Sequence, residues 1–91
     1  MNSKVTSQMI QDYVQNDPYH LVVIYANWCI YCQRMKQKLG NKFMNYNIIT
    51  FLEESQVDDS LKISYPTVKI YEYGIPRDGT LNDLYNLLQI N

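Results

Sequence analysis

Residues 21–32 read Leu21-Val22-Val23-Ile24-Tyr25-Ala26-Asn27-Trp28-Cys29-Ile30-Tyr31-Cys32. The first five side chains are aliphatic, β-branched or aromatic without interruption, which is typical of a strand covered on both sides of its sheet. Two cysteines follow this strand closely, with two residues between them. The segment therefore predicts a buried strand that leads directly into a pair of neighbouring thiols.

A helix is predicted to begin at the cysteine pair. Cys32, Met35, Leu39 and Phe43 recur at intervals of three and four residues, whereas polar and basic side chains fill the positions between them. This spacing produces one apolar stripe along a helix, and Gly40 is a candidate end or weak point of it.

The placement of the two thiols predicts different chemical roles for them. At a helix start, unpaired backbone N–H groups and the helix dipole favour the thiolate of Cys29. A free thiol titrates near ~8.5, and helix N-termini lower this pKa by about one to several units. Cys32 lies one turn further on, where it can attack a mixed disulfide formed by Cys29. Cys29 is predicted to be the nucleophile, and Cys32 to be the more buried resolving thiol.

The rest of the chain alternates helical and strand patterns. Further predicted elements are a helix from Thr6 or Ser7 to about Asn16, a strand at 48–52, a short helix capped by Ser55 with Asp58, a strand at 67–71, a turn at Tyr73-Gly74, a return strand near Ile75 and a helix capped by Thr80. The apolar positions of the first and last helices are Met9, Ile10, Tyr13, Val14, Leu81, Leu84, Leu87 and Leu88. The order α-β-α-β-α-β-β-α predicts an α/β fold: a central four-stranded mixed sheet, with one parallel pair, an antiparallel hairpin and helices on both faces.

Size and composition narrow the class of protein. The 91 residues fit a single domain spanning 1–91, and 46% hydrophobic with 19% charged residues is typical of a globular chain. A net charge of −1 without a basic stripe argues against nucleic acid as a partner. No apolar run approaches the ~20 residues that span a bilayer, so we expect neither membrane insertion nor a signal segment. Both cysteines belong to one motif, which favours a reducing and hence cytoplasmic setting. We also expect the chain to be a monomer.

Residues 21–32 and the segment Tyr65-Pro66-Thr67-Val68-Lys69-Ile70-Tyr71 together resemble the thioredoxin/glutaredoxin superfamily. The resemblance covers nearly the whole chain and implies a thioredoxin-like fold. It also implies that Pro66 follows a cis peptide bond, that its loop packs against the CxxC motif, and that the backbone at Tyr65 pairs with an extended substrate or glutathione. Trp28 and Tyr31 flank the cysteines, and we expect them to contact substrate as an apolar platform.

The motif combines features of both branches of this superfamily. Trp28 and Pro66-Thr67 resemble thioredoxin, whereas Tyr31 before the second cysteine resembles the Cys-Pro-Tyr-Cys type of glutaredoxin. Val23 stands where thioredoxins carry a buried aspartate, so proton transfer must rely on water or another group. Ala26 stands where glutaredoxins usually place a lysine that holds a carboxylate of glutathione, which argues against a standard glutathione site.

The sequence thus predicts a thiol–disulfide oxidoreductase that works by dithiol–disulfide exchange through Cys29 and Cys32. Its expected substrates are protein disulfides, and its electron donor is a reductase or glutathione, with no bound cofactor other than the redox-active disulfide itself. Two alternatives remain: a glutathione-dependent glutaredoxin, and a non-catalytic thioredoxin-fold binding or adaptor module. A zinc site would need four ligands, and only His20 remains outside the motif, so no metal is expected unless two subunits bridge an iron–sulfur cluster.

Other polar residues have simpler interpretations. His20 lies before the first strand and is assigned a structural role. Thr80 and Asp83 are explained by helix capping more simply than by ligand binding. Arg34 and Lys36 lie within two turns of Cys29, where they either raise the local positive potential or form a solvated helix face.

Overall fold

The computed structural model describes residues 3–90. Its helices are α1 (Ser7–Val14), α2 (Ile30–Leu39) and α3 (Leu81–Leu87), and its strands are β1 (His20–Tyr25), β2 (Ile49–Glu53), β3 (Thr67–Glu72) and β4 (Ile75–Asp78). Short 3-10 turns lie at Gly40–Lys42, Glu54–Gln56 and Asp59–Leu61. None of the helices within residues 3–90 is long and apolar enough to cross a membrane.

The four strands form one mixed sheet in the order β2-β1-β3-β4. β1 runs parallel to β2 and antiparallel to β3, and β4 returns antiparallel to β3. Val23 pairs with Phe51 on one side and with Val68 on the other, and all six residues of β1 are buried. The predicted four-stranded mixed sheet is therefore confirmed, with the apolar run of β1 at its centre.

Alternate residues of β1 point into two separate cores, because successive side chains of a strand face opposite sides of the sheet. Leu21, Val23 and Tyr25 pack with the buried side chains of α2 and α3. Val22 and Ile24 pack with α1 and with the segment between β2 and β3. Helices thus cover both faces, as predicted.

The helix predicted around Ser55 and Asp58 is wrong. Two 3-10 turns occupy this segment, and their N-caps are Glu53 and Asp58, so Ser55 caps nothing. Between the turns Val57 is extended, and its neighbours exchange backbone hydrogen bonds with Val5, from Val5 N–H to the Gln56 carbonyl and from Asp58 N–H to the Val5 carbonyl, each 2.8 Å. This pairing with a distant segment takes the backbone groups that a continuous helix would need.

Several predicted boundaries also differ from the structure. α1 ends at Val14 rather than near Asn16, and of its predicted apolar face Met9 and Tyr13 are exposed. Phe43 lies outside α2, because Gly40 leaves the helical conformation with φ +57°. The β1, β2 and β3 boundaries each shift by one residue at one or both ends.

Candidate active site

Cys29 is the residue at which the β1–α2 loop becomes helix. Its own backbone is extended, with φ −87° and ψ 123°, and it serves as the N-cap of α2 without a side-chain capping bond. The backbone N–H groups of Tyr31 and Cys32 belong to the first helical turn, where no carbonyl of the helix can accept from them. They lie close enough to the Cys29 sulfur to lower the pKa of its thiol, although neither makes a capping hydrogen bond to it.

Polar groups at the start of α2 decide the acidity of Cys29. Burial by itself raises the pKa of its thiol, but the backbone and side-chain donors of Cys32 and the backbone N–H of Tyr31 outweigh that effect. The pKa of Cys29 therefore lies below that of an ordinary thiol. Cys29 is largely buried, with 8% of the residue exposed.

Cys32 is in the opposite situation. It has no exposed surface, and its sulfur accepts a hydrogen bond from the Ala26 N–H at 3.4 Å. Burial is the largest cause that raises the pKa of Cys32 to about 11; the Ala26 N–H and the charge of Lys36 lower it, while the hydrogen bond and charge of Cys29 raise it further. The predicted difference in exposure between the two cysteines is thus present, and both are free thiols.

The loop before β3 closes over the Cys29 thiol. The Tyr65–Pro66 peptide bond is cis, and the Tyr65 carbonyl accepts a hydrogen bond from the Cys29 thiol at 3.4 Å. The Tyr65 ring lies edge-on to Trp28, with 5.6 Å between ring centroids. The fold thus gathers Trp28, Cys29, Tyr65 and Pro66, which are up to 38 positions apart in the sequence, on one edge of the molecule.

Trp28 and Tyr31 remain open to solvent beside this edge. Trp28 is 69% and Tyr31 62% exposed, and Ile30 between them is exposed as well. The Arg34 guanidinium lies 5.9 Å from the ring centroid of Tyr31. The side chains expected to form an apolar platform are therefore exposed, and Trp28 packs on Tyr65 of the proline loop.

A groove that the sequence did not reveal begins at the proline loop. It encloses about 270 Å³ and lies between the first half of β3 and the end of β4, from Pro66 to Lys69 on one side and at Asp78 and Gly79 on the other. An ion pair between Lys69 and Asp78, 3.6 Å apart, lies along its wall, and exposed Ile63 borders it. Its walls come from two strands and a loop, so no local sequence pattern could have indicated it.

Asn27, in the β1–α2 loop, joins this loop to β2 and to α2 through three hydrogen bonds. Its side-chain N–H₂ donates to Glu53 at 2.7 Å, and its side-chain oxygen accepts from the Lys36 ammonium. Its backbone carbonyl accepts from the side chain of Gln33 at 3.0 Å. Sequence reasoning assigned no role to Asn27, and its place between the strand and the cysteines was the only available signal.

Lys36 and Arg34 differ in their surroundings, although the sequence left both open. The half-buried Lys36 side chain carries its ammonium 4.5 Å from the ring centroid of Tyr25 and 5.3 Å from that of Phe43. These are distances at which a cation is attracted by an aromatic face. Arg34 is exposed and touches only the ring of Tyr31 among these aromatic contacts. Lys36 is thus a fixed charge and Arg34 a surface charge.

Two other polar groups from the sequence analysis lie outside the site. His20 is buried at the end of β1 opposite to Cys29, where its Nδ1 lies 2.9 Å from Asp17 and its Nε2 2.8 Å from Thr50. Thr80 and Asp83 satisfy each other as a capping box at the start of α3. Among residues 3–90 no three His, Cys, Asp or Glu side chains are grouped so that they could hold a metal ion.

No protein-family model matches the sequence, and no curated protein matches it either. Solved structures do. The first thioredoxin domain of mouse protein disulfide-isomerase A4 is 15% identical, with a TM-score of 0.62 over 93% of this chain and 71% of the other. Trichomonas vaginalis thioredoxin is 17% identical, with a TM-score of 0.62 over 98% of this chain and 94% of the other. Human ERp44 is 25% identical with a TM-score of 0.56; the match covers 98% of this chain and 30% of the ERp44 chain. With its CxxC pair at the start of α2, the chain is a thioredoxin-fold protein.

Proposed function

We propose that this chain is a thiol–disulfide oxidoreductase in which Cys29 attacks and Cys32 resolves. The single observation that carries the proposal is the difference between two thiols three residues apart. Cys29 has a lowered pKa and keeps 8% of its surface exposed, whereas Cys32 has no exposed surface and a pKa raised to about 11. A thiolate, not a thiol, attacks a disulfide, so the first reaction belongs to Cys29.

In the first step the Cys29 thiolate attacks one sulfur of a substrate disulfide. A bond forms between Cys29 and that sulfur, the substrate's own S–S bond breaks, and the electron pair leaves on the other substrate sulfur, which takes a proton from water. The N–H groups of Tyr31 and Cys32 stabilise the negative charge of Cys29 before the attack. The product is a mixed disulfide between Cys29 and the substrate.

In the second step Cys32 loses its proton to water, and its thiolate attacks the sulfur of Cys29. The Cys29–Cys32 bond forms, the mixed disulfide breaks, and the second substrate sulfur leaves with the electron pair and is protonated. The substrate has then gained two electrons and two protons, and the chain holds a disulfide. An external dithiol or glutathione returns it to the dithiol state.

Protein disulfides are the substrates that we favour over glutathione mixed disulfides. The surface around Cys29 is apolar and aromatic, with Trp28, Ile30 and Tyr31 exposed, which suits the side chains of a peptide. The carbonyl of Tyr65 lies beside the attacking sulfur and offers a backbone acceptor to an extended chain. At the position where a glutathione-binding lysine would stand, Ala26 is buried.

The trapping experiment for this proposal uses the Cys32→Ser variant. Without a resolving thiol, it should accumulate mixed disulfides with an unfolded disulfide protein, such as scrambled ribonuclease, visible on non-reducing gels. Cys29→Ser is the matched control and should accumulate none. If Cys32→Ser forms no mixed disulfide, the chain is a binding or adaptor module rather than an oxidoreductase.

A second assay decides the electron donor. NADPH consumption is followed with insulin as substrate, once with thioredoxin reductase and once with glutathione and glutathione reductase. Turnover in the first arm is expected. Turnover in the glutathione arm alone would assign the chain to glutaredoxin-like chemistry.

A further inference from the structure

The resolving step needs a thiolate at a place where the fold disfavours it. Cys32 is fully buried, and β1 beneath it carries Val23 rather than an acidic side chain. Burial in apolar surroundings disfavours the charged form of a thiol. Some other group must therefore stabilise the Cys32 thiolate when it attacks Cys29.

Lys36 lies on the same face of α2 as Cys32, one turn further along. Side chains of a helix lean toward its N-terminus, which in this case is the direction of the cysteines. The Lys36 ammonium bonds the side chain of Asn27, two residues before Cys29, and therefore reaches back alongside the first turn of α2. The contacts with Tyr25 and Phe43 hold its half-buried stem in that direction.

We propose that Lys36 is a positioning residue for the resolving step: Asn27, Tyr25 and Phe43 hold its ammonium beside the buried Cys32, where it favours the attacking thiolate. The inference rests on the proposed oxidoreductase function. Lys36 transfers no proton in it, and the Cys32 proton leaves to water as before. A positive charge acts strongly there because the apolar surroundings screen it less than water would.

The influence of Lys36 is greatest in the mixed disulfide. In the reduced protein the groups that act on Cys32 are the Ala26 N–H, the charge of Lys36 and the neighbouring Cys29, whose hydrogen bond and charge oppose the Cys32 thiolate. The phenol of Tyr65 is a further titratable group here: burial is the main cause that raises its pKa, and the charge of Cys32 adds to the rise. Once Cys29 is bonded to substrate it carries no charge and no longer destabilises the Cys32 thiolate, whereas the Lys36 ammonium still stabilises it. Lys36 therefore has its largest effect on the Cys32 pKa in the resolving step, where the charge of Cys29 is absent.

The first test measures the pKa of Cys32 in the Cys29→Ser background, by thiolate absorbance as a function of pH. Lys36→Met keeps the packing of the stem and removes the charge, and it should raise this pKa by about one unit, which is a tenfold lower thiolate fraction at neutral pH. Lys36→Arg keeps the positive charge, so the pKa of Cys32 should stay close to its value with Lys36. Lys38→Met is the matched control, because Lys38 is on the same helix but lies over the Tyr85 ring at 4.5 Å, and it should change nothing.

The second test measures single-turnover rates with both cysteines present. A more basic thiolate is also a better nucleophile, so a tenfold lower thiolate fraction should slow release of reduced substrate about threefold. The deficit should shrink as the pH approaches 11. The Cys32→Ser variant and the double variant that also carries Lys36→Met should form the mixed disulfide at the same rate. Melting temperatures establish that each variant is folded.

These outcomes separate the two proposals. If Cys32→Ser traps no substrate, the oxidoreductase function fails. If trapping is normal but Lys36→Met matches Lys38→Met in both Cys32 pKa and release rate, the role of Lys36 is overturned and the oxidoreductase stands. Should Lys36→Met not fold, Asn27→Ala releases the ammonium while keeping the lysine, and a smaller rise in the Cys32 pKa is expected; an unchanged pKa overturns the inference.

Discussion

The Cys29 thiol donates a hydrogen bond to the Tyr65 carbonyl across 3.4 Å, although 36 positions separate the two residues in the sequence. This contact joins the start of α2 to the loop that leads into β3. It places the Cys29 sulfur beside a backbone acceptor of Tyr65, on whose ring Trp28 packs. The contact therefore joins two distant segments into one surface.

Alkylation should distinguish the two cysteines in the reduced protein. Cys29 should react first with iodoacetamide, and its rate should rise with pH through a pKa below that of a free thiol, because backbone N–H groups stabilise its thiolate. Cys32 should react only as the pH approaches 11. Peptide mapping by mass spectrometry follows both sites, and equal rates at neutral pH would contradict the proposed roles.

The stability of the reduced protein should fall at alkaline pH because of Cys32. In the unfolded chain this thiol loses its proton near ~8.5, whereas in the folded chain it keeps the proton to about 11. The unfolded state then binds fewer protons, so the free energy of unfolding decreases as pH rises through this interval, by about 3 kcal/mol at most. Urea unfolding of the reduced protein and of Cys32→Ser, each between about pH 8 and pH 11, measures how steeply the free energy of unfolding falls with pH in the two proteins. A decline that is the same in both would refute the assignment to Cys32.

Trp28→Ala should impair the reduction of protein disulfides. Loss of its ring contact with Tyr65 and of its exposed apolar surface is expected to lower kcat/KM for insulin about threefold to tenfold, mainly through KM. Ile75→Ala is the control, since Ile75 is equally exposed but lies at the end of the sheet opposite Cys29. Reduction of a small aromatic disulfide should change less than that of insulin. Identical kinetics for the two variants would exclude Trp28 from the substrate platform.

Thr50→Val should destabilise the fold without touching the redox site. It leaves the Nε2 of buried His20 without its partner, which costs about 1–3 kcal/mol in the free energy of unfolding. Thr50→Ser keeps the hydroxyl and should lose much less. Urea unfolding gives the difference, and insulin reduction below the unfolding transition should be unchanged. Equal stability of the two variants would mean that this hydrogen bond contributes little.

Local signals in the sequence predicted most of the architecture. The apolar run 21–25 requires burial on both faces and became the central strand, and Thr80 with Asp83 formed the cap of α3. Tyr73-Gly74 formed the hairpin turn, where both residues have positive φ, 50° and 81°, a conformation that glycine adopts at little cost. In each case the deciding interaction lies within a few residues, so a single stretch of chain contains the information.

Contacts between distant segments decided the rest. Val57 is extended rather than helical because its neighbours pair with Val5, and no periodicity around residue 57 records that partner. Lys36 looks like a solvent-facing lysine in the sequence, yet Asn27 and two aromatic rings hold it against α2. The sequence alone determined that two thiols stand one helical turn apart at a helix start. Only the tertiary structure decided which carbonyl, ring and cation surround them, because those groups come from chain segments that meet only when the sheet has formed.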